Sequence, residues 1–120
     1  MRNLELPGRS AVHAMNGMAA TSHPLATMTA LRVLQDGGNA MDAAVAACAV
    51  QCVVEPQSTG IGGDCFVLLA PKGGDDVVAF NGSGRAPAAA KAKWYQEQGI
   101  TEIERHSPHA VTIPGAVDAW

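Results

Sequence analysis

Arg85 stands alone among small residues in the run Asn81-Gly82-Ser83-Gly84-Arg85-Ala86-Pro87, directly after an apolar stretch, Val77 to Phe80, that reads as a strand. A guanidinium holds its N–H donors in a planar fork, so at a strand end it can grip a carboxylate through two parallel hydrogen bonds. The same residue can instead cap carbonyls or make a surface ion pair of little energetic weight. The other polar candidates are weaker. Asp75 and Asp76 are adjacent carboxylates in the polar turn Pro71-Lys72-Gly73-Gly74-Asp75-Asp76, where such residues are solvated turn formers, and no catalytic role is assigned to them. His13, His23, His106 and His109 fall in separate segments, none with a Cys, Ser or Asp at a catalytic spacing. Cys48 and Cys52 lie four apart, as neighbours on one helix face, and no pair has Cys-x-x-Cys spacing. With Cys65 they read as reduced, buried thiols, and a metal site is disfavoured.

A second stretch with chemical potential is Glu55-Pro56-Gln57-Ser58-Thr59-Gly60-Ile61-Gly62-Gly63-Asp64-Cys65. So many glycines either expose a row of amide N–H groups to an anion or permit a tight turn and close packing. Phosphate fingerprints have a strand before the glycines and a helix after them, whereas the order here is helix, glycines, strand. Neither Gly-x-x-x-x-Gly-Lys-Ser/Thr nor Gly-x-Gly-x-x-Gly occurs. A structural connection is therefore expected, not a nucleotide loop.

The elements that position these residues follow from composition and periodicity. The chain has 120 residues, 48% hydrophobic and 16% charged, which is the size and make-up of a folded domain and excludes a disordered tail. Only 4% are aromatic, so the core must be built from Ala, Val, Leu, Ile and Met. A formal net charge of −3 with scattered basic residues argues against nucleic acid or an anionic membrane as partner. Residues Met1 to Arg9 contain no apolar h-region, and the longest apolar stretch, Ala43 to Val54, is interrupted by Gln51 and too short for a membrane span. The expectation is a soluble protein of a reducing compartment, the cytoplasm, unless a leader was removed on the way to the periplasm or the exterior.

Ser10 to Met15 and Met18 to Thr21 read as short strands around the turn dipeptide Asn16-Gly17. Ser22 is the expected N-cap of a helix with Pro24 in its first turn, and Leu25, Met28, Leu31 and Leu34 give that helix an apolar face. Gly37-Gly38 ends it, and Asn39 with Asp42 starts a second helix through a capping box. From Ala40 to Val54 nearly every side chain is apolar, so this helix is expected to be buried on all sides within a layered α/β structure. Phe66 to Ala70 and Val77 to Phe80 form a hairpin, Ala88 to Gln98 a helix anchored by Trp94 and Tyr95, and Val111 to Trp120 a strand, a Pro-Gly turn and the start of a helix. Because the chain stops inside that element, it is expected to be truncated after Trp120.

Four blocks carry a resemblance: Thr21-Ser22-His23-Pro24-Leu25-Ala26, Gly37 to Ala46, Glu55 to Gly63, and Ile113-Pro114-Gly115-Ala116. In order and spacing the chain resembles the start of the large subunit of a gamma-glutamyltranspeptidase, from about Ala11 to Trp120. The resemblance implies an N-terminal-nucleophile hydrolase: an α/β, four-layer αββα sandwich of which residues 1–120 form one segment. It is made as a precursor that cuts itself into a large and a small subunit. The small subunit's new N-terminal threonine attacks the gamma-glutamyl carbonyl of glutathione or a related amide, its own amine acting as base. No metal or organic cofactor is implied, the partners are the amide substrate and the small subunit, and the catalytic nucleophile is expected beyond Trp120, leaving this chain inert by itself.

One departure bears on the substrate. Family members carry an Arg-Glu pair just before Ala-Pro, and that arginine binds the α-carboxylate of the gamma-glutamyl group. Those positions correspond here to Ser83 and Gly84, and Arg85, the candidate substrate-binding residue, is shifted two residues towards Ala86-Pro87. Two residues of extended chain keep the same face and move a side chain about 6.6 Å. Arg85 is expected to reach the same carboxylate from a remodelled loop, or the pocket takes another acyl group, as in the related acylases.

Overall fold

The computed structural model of the chain describes residues 11–120. Helix α1 spans Pro24–Gln35 and α2 Ala40–Val54. Between them the turn is closed entirely by local chemistry. The amide of Gly38 donates to Val33 O at 2.9 Å and that of Gly37 to Leu34 O at 3.2 Å, the paired bonds of a Schellman cap, with Gly37 at φ 95, a conformation strained for any residue with a Cβ. Asn39 then caps α2: its Oδ1 accepts from Met41 N (2.8 Å) and Asp42 N (3.1 Å), while Asp42 Oδ2 accepts from Asn39 N (2.9 Å). The capping box expected from Asn39 and Asp42 is formed.

The N-cap of α1 is His23, not Ser22; His23 Nδ1 accepts from Leu25 N. Ser22 has a stronger partner, the Glu55 carboxylate, to which its hydroxyl donates, and Gln51 Nε2 donates to both, at 2.8 and 3.0 Å. This triad ties the start of α1 to the end of α2.

The two helices meet through alanines. Ala26 and Ala30 of α1 and Ala43 and Ala47 of α2 are buried, flanked by Val33, Leu34 and Val50. Methyl groups four residues apart on facing helices let the two backbones close in, whereas leucines there would hold the axes apart. The apolar face expected of α1 is therefore turned outward: Leu25, Met28 and Leu31 are 46%, 61% and 37% exposed, and only Leu34 reaches the interface. Likewise α2 is not buried on all sides, since only Ala43 and Ala47 are buried along it and Val53 is exposed. It does carry cover on two faces. Residues 18–21 line a groove with Ala30, Ala43 and Ala47, and Met41 and Val45 share a cavity of about 220 Å³ with the strands that follow.

Those strands, β1 (Phe66–Leu69) and β2 (Val78–Asn81), pair antiparallel with Phe66 opposite Asn81 and Leu69 opposite Val78. Side chains alternate across the hairpin. Val67, Leu69, Val78 and Phe80 line the cavity under α2, and Phe66 and Leu68 face away, 69% and 77% exposed. The connecting residues include a single 3-10 turn, Pro71–Gly73, and Asp75 and Asp76 are exposed in the connection after it, as turn formers are.

Three expected elements differ. Residues 11–15 and 18–21 form no strands: 11–15 are exposed, and 18–21 line the groove of the helix pair instead of pairing with them; Ser10 lies outside the described residues. The helix expected over Ala88 to Gln98 is shortened to α3, Ala92–Glu97, the alanines before it forming a turn with Ala90 N on Pro87 O. Residues 111–113 are extended without strand partners, held by a bond from Ile113 N to Arg85 O, before α4 (Ala116–Ala119).

Only five described residues are buried in the core, all of them alanines. The radius of gyration is 18.6 Å, against about 13–14 Å for a compact chain of this length. Among the described residues no helix is long and apolar enough to cross a membrane. Ala47→Leu should wedge α1 from α2 and cost about 1–3 kcal/mol in chemical denaturation, whereas Ala49→Leu, on an exposed position of the same helix, should change stability by less than about 0.5 kcal/mol. Equal losses in the two would contradict the alanine interface.

Candidate functional site

Segments 60–65, 81–85 and 112–116 cross at one place. Gly63 O accepts from both Gly115 N and Ala116 N at 3.0 Å, Gly82 N donates to Cys65 O at 2.7 Å, and Ile113 N donates to Arg85 O at 3.1 Å. Such contacts bring main chains within reach of one another only where side chains are missing. A Cβ on Gly84 would fall 1.2 Å from Ile113 O, and one on Gly115 would fall 2.4 Å from Gly82 O. Gly82, Gly84 and Gly115 are thus required by close approach, whereas Gly60, Gly62 and Gly63 leave room for a Cβ and lie in the turn that connects α2 to β1, in the helix-glycine-strand order.

Asp64 is the polar centre of the crossing. Its Oδ1 accepts from Ser83 Oγ (3.0 Å), Thr112 Oγ1 (3.0 Å) and Gly84 N (3.1 Å). The Ser83 hydroxyl above all, then the Thr112 hydroxyl and the Gly84 amide, hold the Asp64 carboxyl below the usual carboxylate range. Ser83 is fixed a second time, through its own N–H on Asn81 Oδ1 at 3.0 Å. Arg85 emerges from this knot with its main chain pinned and its side chain exposed. The two ion pairs among the described residues, Arg32–Asp36 and Lys93–Glu97, do not involve it.

A second polar cluster lies where α2 ends. Hydrogen bonds from Ser22, then from Gln51, and the proximity of His23 lower the Glu55 carboxyl. Cys48, Cys52 and Cys65 are free and half-buried; burial, with Cys65 and Cys52 nearby, pushes the Cys48 thiol up, which makes it less reactive. Trp94, Tyr95 and His109 form an aromatic group with ring centroids 5.0–5.7 Å apart.

Sequence reasoning singled out Arg85 but missed the residues that hold it. Asp64 stands in the sequence as part of a glycine run, Ser83 as a position matched to the family's Arg-Glu pair, and Thr112 as part of an apolar run that reads as a strand. The available signal was an acidic side chain at the end of a glycine turn and a second glycine-rich run after the hairpin.

An apolar α2 beneath a two-faced hairpin, joined by a glycine crossing that presents an arginine, is part of the α/β sandwich of N-terminal-nucleophile hydrolases. Residues 26–120 match the gamma-glutamyltranspeptidase family. The oxamate amidohydrolase proenzyme of Klebsiella pneumoniae is 40% identical over 110 residues, covering 88% of this chain and 20% of the relative. Gamma-glutamyltranspeptidase of Helicobacter pylori superposes with TM-score 0.77 at 33% identity, over 91% of this chain and 32% of that one. A cephalosporin acylase from Bacillus halodurans superposes with TM-score 0.81 at 42% identity, over 98% of this chain and 22% of that one. The chain belongs to the gamma-glutamyltranspeptidase family, and it spans about a fifth of the length of the curated relative it matches.

Because the fold lowers the Asp64 pKa, the stabilisation Asp64 contributes is fully present above the unfolded carboxyl value of about 3.9 and is lost as pH falls through the lower folded value. Asp64→Asn should therefore lower Tm at pH 7 and differ less from the parent near pH 2.5. A Tm difference independent of pH would contradict the ionised acceptor.

Proposed function

We propose that residues 1–120 are the opening segment of the large subunit of an enzyme that hydrolyses or transfers the acyl part of gamma-glutamyl amides of the glutathione type. The observation that carries this is Arg85, exposed beyond a pinned main chain in a family of amide-cleaving proenzymes. Its fork receives the α-carboxylate of the acyl group and sets the scissile carbonyl at a fixed distance. A threonine beyond Trp120, released as the N-terminus of the small subunit by self-cleavage, attacks that carbonyl with its own amine as base. Backbone N–H groups hold the oxyanion, the amine of the substrate leaves with the proton that the threonine's amine took, and water or an amino acid then takes the acyl group from the threonine. No metal or organic cofactor takes part. The outward apolar residues of α1 and of the hairpin's far face are surface for further layers and the small subunit to cover.

The two-residue displacement of Arg85 favours a second acyl class, that of the related acylases. Oxamate, the substrate in the name of one relative, bears its carboxylate directly on the amide carbonyl, whereas a gamma-glutamyl amide has three carbons between them. The position of the guanidinium along the chain discriminates between such acyl lengths.

Intact mass and N-terminal sequencing of the full gene product should give two chains, the smaller beginning with threonine. A single uncut chain would mean that no nucleophile is released and would favour a non-catalytic scaffold of the same fold. In the processed enzyme, Arg85→Ala should raise KM for gamma-glutamyl-p-nitroanilide about ten- to a hundredfold, the loss expected for a charge-assisted pair. An unchanged KM removes the clamp role. The isolated 120 residues should turn over none of it.

A further inference from the structure

We infer that Asp64 is the positioning residue that aims Arg85 at the substrate carboxylate, an inference that rests on the clamp role proposed for Arg85. The peptide that joins Gly84 to Ser83 carries the N–H that Asp64 Oδ1 receives, so the carboxylate fixes the peptide plane that precedes Gly84, one residue before Arg85. On the other side, Arg85 O is fixed by Ile113 N, and Asp64 reaches that same segment through the Thr112 hydroxyl. One oxygen thus registers segments 83–85 and 112–113 against each other. The main chain of Arg85 is left with little freedom while its side chain projects outward.

The chemistry of the three donors matters as much as their number. Ser83 Oγ, Thr112 Oγ1 and Gly84 N are all uncharged, so Asp64 is satisfied without an ion pair to the arginine. A carboxylate bonded to the residue next to a substrate-binding guanidinium would otherwise compete with the substrate for the fork. Holding it on neutral donors orders the loop and leaves the arginine open. Gly84 completes the device, because any side chain there would collide with Ile113 O and break the registration.

Kinetics of the processed enzyme test this, with gamma-glutamyl-p-nitroanilide or oxamate as the amide, whichever is turned over. Asp64→Ala should raise KM about tenfold or more with a smaller change in kcat, since displacement of a binding group by about an ångström is costly. Asp64→Asn, which keeps an acceptor oxygen, should recover much of that loss. On an Arg85→Ala background, Asp64→Ala should add no further rise in KM, because the two act through one contact. Hydrogen exchange should meanwhile increase at residues 82–86 and 112–115 in Asp64→Ala. If Asp64→Ala does not fold, Thr112→Val removes a single donor and should give a smaller rise of the same kind. An unchanged KM in the Asp64 variants, or in Thr112→Val where it stands in, beside a raised one in Arg85→Ala overturns the positioning role alone, as does additivity in the double variant. An unchanged KM in Arg85→Ala overturns the clamp itself. Turnover of neither amide overturns the functional proposal, and unchanged exchange at 82–86 then overturns the ordering role of Asp64 as well.

Discussion

At Gly82, Gly84 and Gly115 the backbones meet more closely than any side chain would permit, and the arrangement of the candidate site follows from that approach. Hydrogen bonds from Gly115 and Ala116 to Gly63 O, and from Ile113 to Arg85 O, draw together segments up to about fifty residues apart. Buried or half-buried main-chain groups need partners, and here each segment supplies them to the next. Asp64 adds the one charged acceptor, with donors from two of the segments converging on a single oxygen. What chemistry the site can perform is then a question of what leaves the crossing, and the side chain that leaves it is that of Arg85.

The helical layer solves a different problem. Alanine gives little apolar area per residue, at about 25 cal/mol for each Å² removed from water, so an alanine interface gains by closeness and not by bulk. Several larger apolar side chains that would stabilise more, Leu25, Met28 and Leu31 of α1 and Phe66 and Leu68 of β1, are turned outward. Every fully buried residue described here is an alanine, and the extended shape agrees with that. A chain built this way has apolar faces on both sides of its secondary structure, as a middle layer of a sandwich does.

Local signals in the sequence were reliable. The second helix has the bounds that its apolar run and the Asn39-Asp42 pair indicated, and the hairpin strands fall within a residue of the apolar runs. The errors arose where tertiary partners decide. Leu25, Met28 and Leu31 mark a helix face by period, but period does not say which face meets the neighbour, and the alanines won because they allow nearer backbones. Ser22 is a good cap by type, yet the Glu55 carboxylate took its hydroxyl. The crossing was legible only as too many glycines for a simple turn: nothing in the order of residues tells that Gly84 must pass Ile113 or that Thr112 will reach Asp64.

The Schellman turn set against the capping box has a bearing on the order in which the molecule assembles. All bonds that close the α1–α2 corner lie within ten residues, from Val33 to Asp42, and the alanine contacts follow from helices already side by side. The crossing, by contrast, requires residue 64 to find residue 112, with the intervening loop entropy lost before any bond is gained. The helical corner is therefore expected to form first as the polypeptide emerges from the ribosome, with the arginine-bearing loop among the last parts to take its place.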